Sequence, residues 1–282
     1  MAWLRRMPLG GRWALGLGLA LLSGFVAVAW PSGWSAINVV LMLALALAAG
    51  FALANWWAAL ALDAAAMVGA FIGIWLNVQV APEQTVLGLT GMDAVLSWFA
   101  FWASFSALPL LILFLGGVGL GKTQGLALGQ PQTLSADEAR ASRWIAALAP
   151  ALVAGTLAFN NSGAIFVDPA NLAQGRDVWA SVMSLLVALA LSTTCLLAGW
   201  LLRSWWGAVA ATLMYTGPIL LLAQFGGYGV SEFLSGWLTL RFTLYILLPA
   251  VVMSVIGAAI GMRGARRGGE RPQQPRTPQL AT

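Results

Sequence analysis

Eight stretches of this chain are apolar almost without interruption, near positions 13–30, 37–54, 58–78, 94–115, 144–160, 179–202, 205–225 and 242–262. Each is close to the length of about 20 residues that carries an α-helix across roughly 30 Å of hydrocarbon. Inside lipid every backbone N–H and C=O must be satisfied by the protein itself, so such runs can persist only as helices. Composition agrees: of 282 residues 60% are hydrophobic and 8% charged, where a soluble domain is about one quarter charged. The expectation is an all-α integral membrane protein with about eight transmembrane helices. Trp13, Trp30, Trp56, Trp57, Trp75, Trp144, Trp179, Trp200, Trp205 and Trp206 fall at or near the ends of these runs, where an amphipathic ring prefers the interface. The fifth run is the shortest and contains Pro150.

Eight spans put both termini on one side, and the charges sort accordingly. Arg5, Arg6, Arg12, Lys122, Arg140, Arg143, Arg203, Arg263, Arg266, Arg267, Arg271 and Arg276 share the side of the N-terminus, 12 of the 14 basic residues, with only Arg176 and Arg241 opposite. Glu83, Asp93, Asp168, Asp177 and Glu232 lie on the other side. Basic loops stay in the cytoplasm, so both termini are expected there, in a multi-pass protein of the cell membrane. The net charge of +5 is thus read as topology rather than as a footprint for nucleic acid. The start of the chain, with "AVAW" from Ala27 to Trp30, imitates a signal peptide and its cleavage site. Its apolar run is long for that role, and the segment is read as a retained helix.

The two halves look like copies of one four-helix unit. "RWALGLGLALLSG" from Arg12 matches "RWIAALAPALVAG" from Arg143, and "NWWAALA" from Asn55 matches "SWWGAVA" from Ser204. "LPLLILFLGGVGLGK" from Leu108 matches "LPAVVMSVIGAAIGM" from Leu248. The resulting organisation is a cytoplasmic N-terminus (1–12), a first membrane unit (13–122), a cytoplasmic linker (123–143), a second unit (144–262) and a basic tail (263–282). An even number of spans per unit makes the copies parallel, related by an axis along the membrane normal.

This match bears on "GGVGLGKT", residues 116–123, which fits a phosphate-binding loop by spacing. The second copy keeps the glycines without the Lys-Thr, as packing requires and phosphate binding does not. A phosphate loop also opens a helix after a buried strand, whereas this one closes a membrane helix. No nucleotide is expected. Gly117 and Gly121, Gly69 and Gly73, Gly257 and Gly261, and the series Gly16, Ala20, Gly24 are instead read as small-residue faces for helix packing.

The remaining candidates are polar groups within the runs. Asp63 is the one ionisable residue well inside a span; a charge at the bilayer centre costs roughly 2.5–3.5 kcal/mol, so such residues tend to face water or partners. It is a candidate for a proton, a cation or a cationic solute, against the alternative of a structural lock. Ser192, Thr193 and Thr194 before Cys195, with Tyr215 and Thr216 beside Gly217 and Pro218, could line a solute path; the competing reading is that they bond helix backbone. Pro109, Pro150, Pro218 and Pro249 would kink four spans. "SADEAR" from Ser135 has the cap and acidic first turn of a helix start. The outer stretch 160–177 is a connector or contact site, and the tail from Arg263 is expected to be disordered and to attract anionic lipid.

With no histidine and a single cysteine, Cys195, Cys/His metal clusters and a disulfide framework are excluded. No catalytic constellation, metal site or cofactor is expected. A lipid-modifying enzyme using Asp63 or the outer acids is the minor alternative. Two main readings remain: a small permease for a small or apolar solute, gated or coupled by Asp63, and a non-transporting membrane subunit that scaffolds an assembly. Expected partners are the lipid bilayer and, in either case, a homodimer or other membrane subunits.

Overall fold

The computed structural model describes residues 2–28, 35–80, 89–126, 135–161, 178–225 and 242–269. Among these residues all regular structure is helical. A short α1 (Ala2–Arg6) precedes eight longer helices: α2 (Leu9–Val28), α3 (Ser35–Leu53), α4 (Ala58–Val80), α5 (Gly91–Thr123), α6 (Ala136–Asn161), α7 (Val178–Leu202), α8 (Trp205–Phe225) and α9 (Leu248–Gly269). Five are long and apolar enough to cross a membrane, over Leu9–Val28, Ala58–Val80, Gly91–Thr123, Ala136–Ala158 and Thr243–Ala265. Three more have shorter apolar parts, Asn38–Leu53, Leu186–Leu202 and Trp205–Leu221. The outer stretch 162–177, the end of the tail and the residues Glu83, Arg176, Arg241 and Glu232 lie outside the described residues.

The helices end where local chemistry ends them. α3 and α7 both stop at a non-glycine residue in the left-handed region, Ala54 (φ 49°) and Arg203 (φ 51°). The N–H of each reaches back to Gly50 O (2.9 Å) or Gly199 O (3.0 Å) and so closes the helix. Asn55 and Ser204 follow at once as caps: Asn55 Oδ1 accepts from the Trp57 N–H at 3.0 Å and Ser204 Oγ from the Gly207 N–H at 2.9 Å. Ser135 caps α6 in the same manner, accepting from the Glu138 N–H at 3.2 Å.

Two ends differ from the sequence reading. α5 runs on through Thr123 instead of stopping near 115, and α9 continues to Gly269, so the first tail residues are helical rather than disordered. The prolines are absorbed differently from one another. α5, α6 and α8 continue through Pro109, Pro150 and Pro218. Before Pro249 the chain instead makes a π-helical turn, Thr243–Leu247, the wider ladder that a proline ring favours by taking away one N–H and crowding the turn before it.

Packing follows glycine and alanine. α2 lies on α4 and α3, α3 on α5, α5 on α6, α6 on α7 and α8, and α7 on α9. A Cβ on Gly24 would run into the carbonyl of Ala66, one on Gly50 into Phe114 O, one on Gly117 into Leu47 O and one on Gly155 into Tyr215 O. The same holds for Gly199 against Ser254 O and Gly257 against Leu196 O. Backbones meet directly at these crossings, which gives dispersion and Cα–H···O contact where lipid supplies no hydrophobic drive between helices. Ala46, Ala49, Ala66, Ala154 and Ala250 fill the centre together with Leu62, Leu113, Phe114 and Tyr215. The outside is equally apolar, with Leu60, Phe101, Phe105, Leu213 and Leu221 exposed; a chain of this length in water would hide most of them.

Gly117→Leu and Gly257→Leu should each lower the thermal midpoint of the detergent-purified protein by several degrees, because a side chain there must push a backbone aside at a cost of about 3 kcal/mol or more. Gly18→Leu, which has open space around it, should shift it by about a degree at most. Equal behaviour of the three variants would contradict the close crossings.

Candidate functional site

Asp63 sits on the second turn of α4, beside the buried stripe Leu62, Ala66, Gly69, Ala70 and Gly73 that packs on α2 and α5. The stripe is drawn in by Gly69, which lies against Leu21 O, and by Gly73, which lies against Phe25 and Val28. Asp63 stands at its edge, half-buried, and its Oδ1 is enclosed without a hydrogen-bond partner. Among the described residues the single ion pair is Lys122 to Glu138, so no cation answers this carboxyl. An enclosed oxygen of this kind is left to a proton, a cation or a donor from a solute, since an unmet buried acceptor costs about 1–3 kcal/mol.

The hydroxyls are arranged otherwise. Ser192, Thr193 and Thr194 donate to the carbonyls of Leu189, Ala190 and Leu191 at 2.6–2.7 Å, all within α7. Thr216 Oγ1 donates to Thr212 O at 2.8 Å within α8. Tyr215, fully buried, ties α8 to α7 by donating its OH to Ala188 O at 3.0 Å. Thr212 and Ser254 share a hydrogen bond of 3.0 Å between α8 and α9. Ser192 is buried while Thr193 is exposed, so the three residues do not share one face. α4 packs on α2, α3 and α5, whereas α7 and α8 pack on α6 and α9; Asp63 and the hydroxyl group therefore are not brought together. An apolar groove of about 340 Å³ opens between α8 and α9, with Thr212 and Ser254 among lining residues that include Trp205 and Val255.

The "GGVGLGKT" segment forms the closing turns of α5. Gly117 and Gly121 face Leu47 O and Phe51 O of α3, and Gly116 and Gly119 face Pro150 and Ser142 of α6. Gly257 and Gly261 face Leu196 and Trp200 of α7 in the same way. Lys122 Nζ donates to Glu138 Oε1 at 2.7 Å and lies 5.0 Å above the Trp56 ring.

Two features at this end of the bundle were carried in the sequence only as topological charge. Arg12 is buried, with Nε donating to Ala52 O at 2.9 Å and Nη2 to Leu126 O at 3.0 Å. It thereby joins the start of α2 to the end of α3 and to the turn after α5, at helix ends that carry partial negative charge. Arg140, Arg143 and Trp144 line a cavity of about 410 Å³ that reaches Leu202. The repeated Arg-Trp at positions 12–13 and 143–144 marks both places, but spacing alone does not say which arginine is enclosed.

No protein-family model matches the chain, no curated protein matches it in sequence, and no solved structure matches it in fold. What the fold itself defines is a class: an all-helical bundle, apolar inside and out, with five helices able to cross a membrane.

Replacing Arg12 by Met removes two buried charge-assisted hydrogen bonds and should cost roughly 2–4 kcal/mol, allowing about 1.5–3 for each bond and some recovery by relaxation. Thermal unfolding should show this as a clear fall in midpoint, while Arg263→Gln, at an exposed site, leaves the midpoint within about a degree. An unchanged midpoint for Arg12→Met would mean that the guanidinium holds nothing together.

Proposed function

We propose that the chain is a multi-pass protein of the cell membrane in which all eight long helices cross the bilayer as two parallel four-helix units. Both termini then lie in the cytoplasm. The packing register supports the duplication. Gly50 lies against Phe114 and Gly199 against Ser254; Gly117 lies against Leu47 and Gly257 against Leu196; Gly121 lies against Phe51 and Gly261 against Trp200. Gly24 against Ala66 is answered by Gly155 against Tyr215. Every one of these pairs maps onto its counterpart when counted from the matched anchors Arg12 and Arg143, Asn55 and Ser204, and Leu108 and Leu248. The left-handed ends at Ala54 and Arg203 and the caps at Asn55 and Ser204 correspond by the same count.

On this reading the protein is a small permease for a small or apolar solute, and Asp63 is its proton or cation site. The observation that carries it is the enclosed, unpartnered Oδ1 of Asp63. In the second unit the corresponding residue is Thr212, which is satisfied by Ser254 across the helix pair; the position matching Ser254 in the first unit is Phe114, which offers no hydrogen bond. The carboxyl is thus one place where the two units differ in chemistry. The second reading, a membrane subunit that anchors a larger assembly, is favoured by the self-satisfied hydroxyls of α7 and by its extensive glycine faces.

Vesicles containing the purified protein should take up ethidium, an apolar cation used as probe, under a proton gradient. Asp63→Asn should reduce that uptake by at least about tenfold, as expected for removal of the group that carries the charge, while the protein remains folded and membrane-inserted. Full activity of the Asn variant would remove Asp63 as the site. No uptake by the wild type, together with stoichiometric partner proteins in material gently extracted from its native membrane, would replace the permease with the subunit.

A further inference from the structure

The cavity beside Arg140 and Arg143 has a counterpart that is filled. Counted from the matched anchors, Arg143 occupies the place of Arg12, and Leu202 that of Leu53. In the first unit the space around Arg12 is closed by the chain itself: Leu4, Ala54 and Leu126 form a small buried cluster there with Leu15 and Phe51, and the guanidinium spends its N–H groups on Ala52 O and Leu126 O. In the second unit Arg143 is exposed, and neither it nor Arg140 has a hydrogen-bond or ion-pair partner among the described residues. Between them lies an open cavity of about 410 Å³, bounded by Ala136 and Ala139 on the first turns of α6, by Trp144 and by Leu202.

We propose that this cavity binds the phosphate headgroup of an anionic phospholipid. Two guanidiniums one helical turn apart, at positions 140 and 143, present forked donors toward one space, the arrangement that takes phosphate oxygens in bidentate fashion. The first turn of α6 adds its partial positive charge. Of the two acids in that turn, Asp137 and Glu138, Glu138 is paired with Lys122 at 2.7 Å, and neither lines the cavity. The volume falls within the range of about 300–1,000 Å³ typical of small-ligand sites. Trp144, exposed beside the arginines, supplies the amphipathic ring that prefers headgroup depth, and Leu202 gives the cavity an apolar flank. A soluble phosphate would use the arginines but neither the tryptophan nor the apolar flank, which is why a lipid is the occupant.

The proposal rests on the reading that this end of the bundle lies at the cytoplasmic membrane interface, and it goes beyond that reading by naming a discrete site distinct from the tail arginines. Its test is native mass spectrometry of the full-length protein released from membranes of mixed phosphatidylglycerol and phosphatidylcholine. Wild type should retain one phosphatidylglycerol in preference to phosphatidylcholine, and Arg140→Gln/Arg143→Gln should reduce that preference roughly tenfold to thirtyfold, at about a factor of five for each interfacial arginine. Arg140→Lys/Arg143→Lys should recover part of it, because charge is kept while the fork is lost. Gln replacements at Arg266, Arg267, Arg271 and Arg276 should leave the single retained lipid in place.

Equal retention by wild type and the Arg140/Arg143 variant, or no preference in the wild type, would overturn the site. Millimolar inorganic phosphate that displaces the lipid completely, and binds equally well when lipid is absent, would overturn the lipid as occupant and leave free phosphate in its place. These readouts concern the purified particle: transport at Asp63 can fail while the lipid site stands, and the sidedness on which the site rests is read separately, by thiol labelling in intact cells.

Discussion

At the closest crossings of this bundle a glycine on one helix lies against a main-chain carbonyl on the next. Gly24 meets Ala66, Gly50 meets Phe114, Gly155 meets Tyr215, and Gly199 meets Ser254. In water, burial of larger side chains would dominate the association; among apolar side chains that lipid solvates equally well, contact area and polarised C–H groups decide it. The spacing of those glycines sets which helices are neighbours, and the neighbours set everything else. They put the ends of α3, α5, α7 and α9 at one end of the bundle with the starts of α2, α4, α6 and α8, and so gather Arg12, Lys122, Arg140, Arg143, Arg203 and Arg263 there.

On the proposed two-unit reading, both units share this frame and differ in what occupies it. Where the second unit places a hydroxyl pair, Thr212 with Ser254, the first has the carboxyl of Asp63 with an unmet oxygen. Where the first unit seals Arg12 beneath Leu4 and Leu126, the second leaves Arg143 facing a cavity. The proposed functions follow the asymmetry, with a proton or cation site in one unit and a lipid headgroup site in the other.

Much of the fold was legible in the sequence because the membrane leaves few alternatives. The runs near 58–78, 179–202 and 205–225 differ from α4, α7 and α8 by a few residues at most, since apolar length and tryptophan position reflect the same slab of hydrocarbon. The C-terminal reach of α9 was not legible: the glycine- and arginine-rich stretch from Arg263 read as disordered tail, yet the helix continues to Gly269. Asp63 stood out by its charge, but its isolation from Ser192–Thr194 depends on which helices pack together. Arg12 and Arg143 were indistinguishable as interfacial charges, because the enclosure of Arg12 depends on Ala52 and Leu126, far from it in the chain.

The most direct test of the two-unit account is the sidedness of one end of the bundle, probed with an impermeant thiol reagent in intact cells. Single cysteines at Trp57, Ser135 and Trp206, all exposed and at the starts of α4, α6 and α8, would be placed in a chain carrying Cys195→Ala. The account predicts that all three are protected in intact cells and react once the membrane is permeabilised. Labelling of any one of them from outside would mean that the helices between do not each cross, and the paired four-helix arrangement would fall.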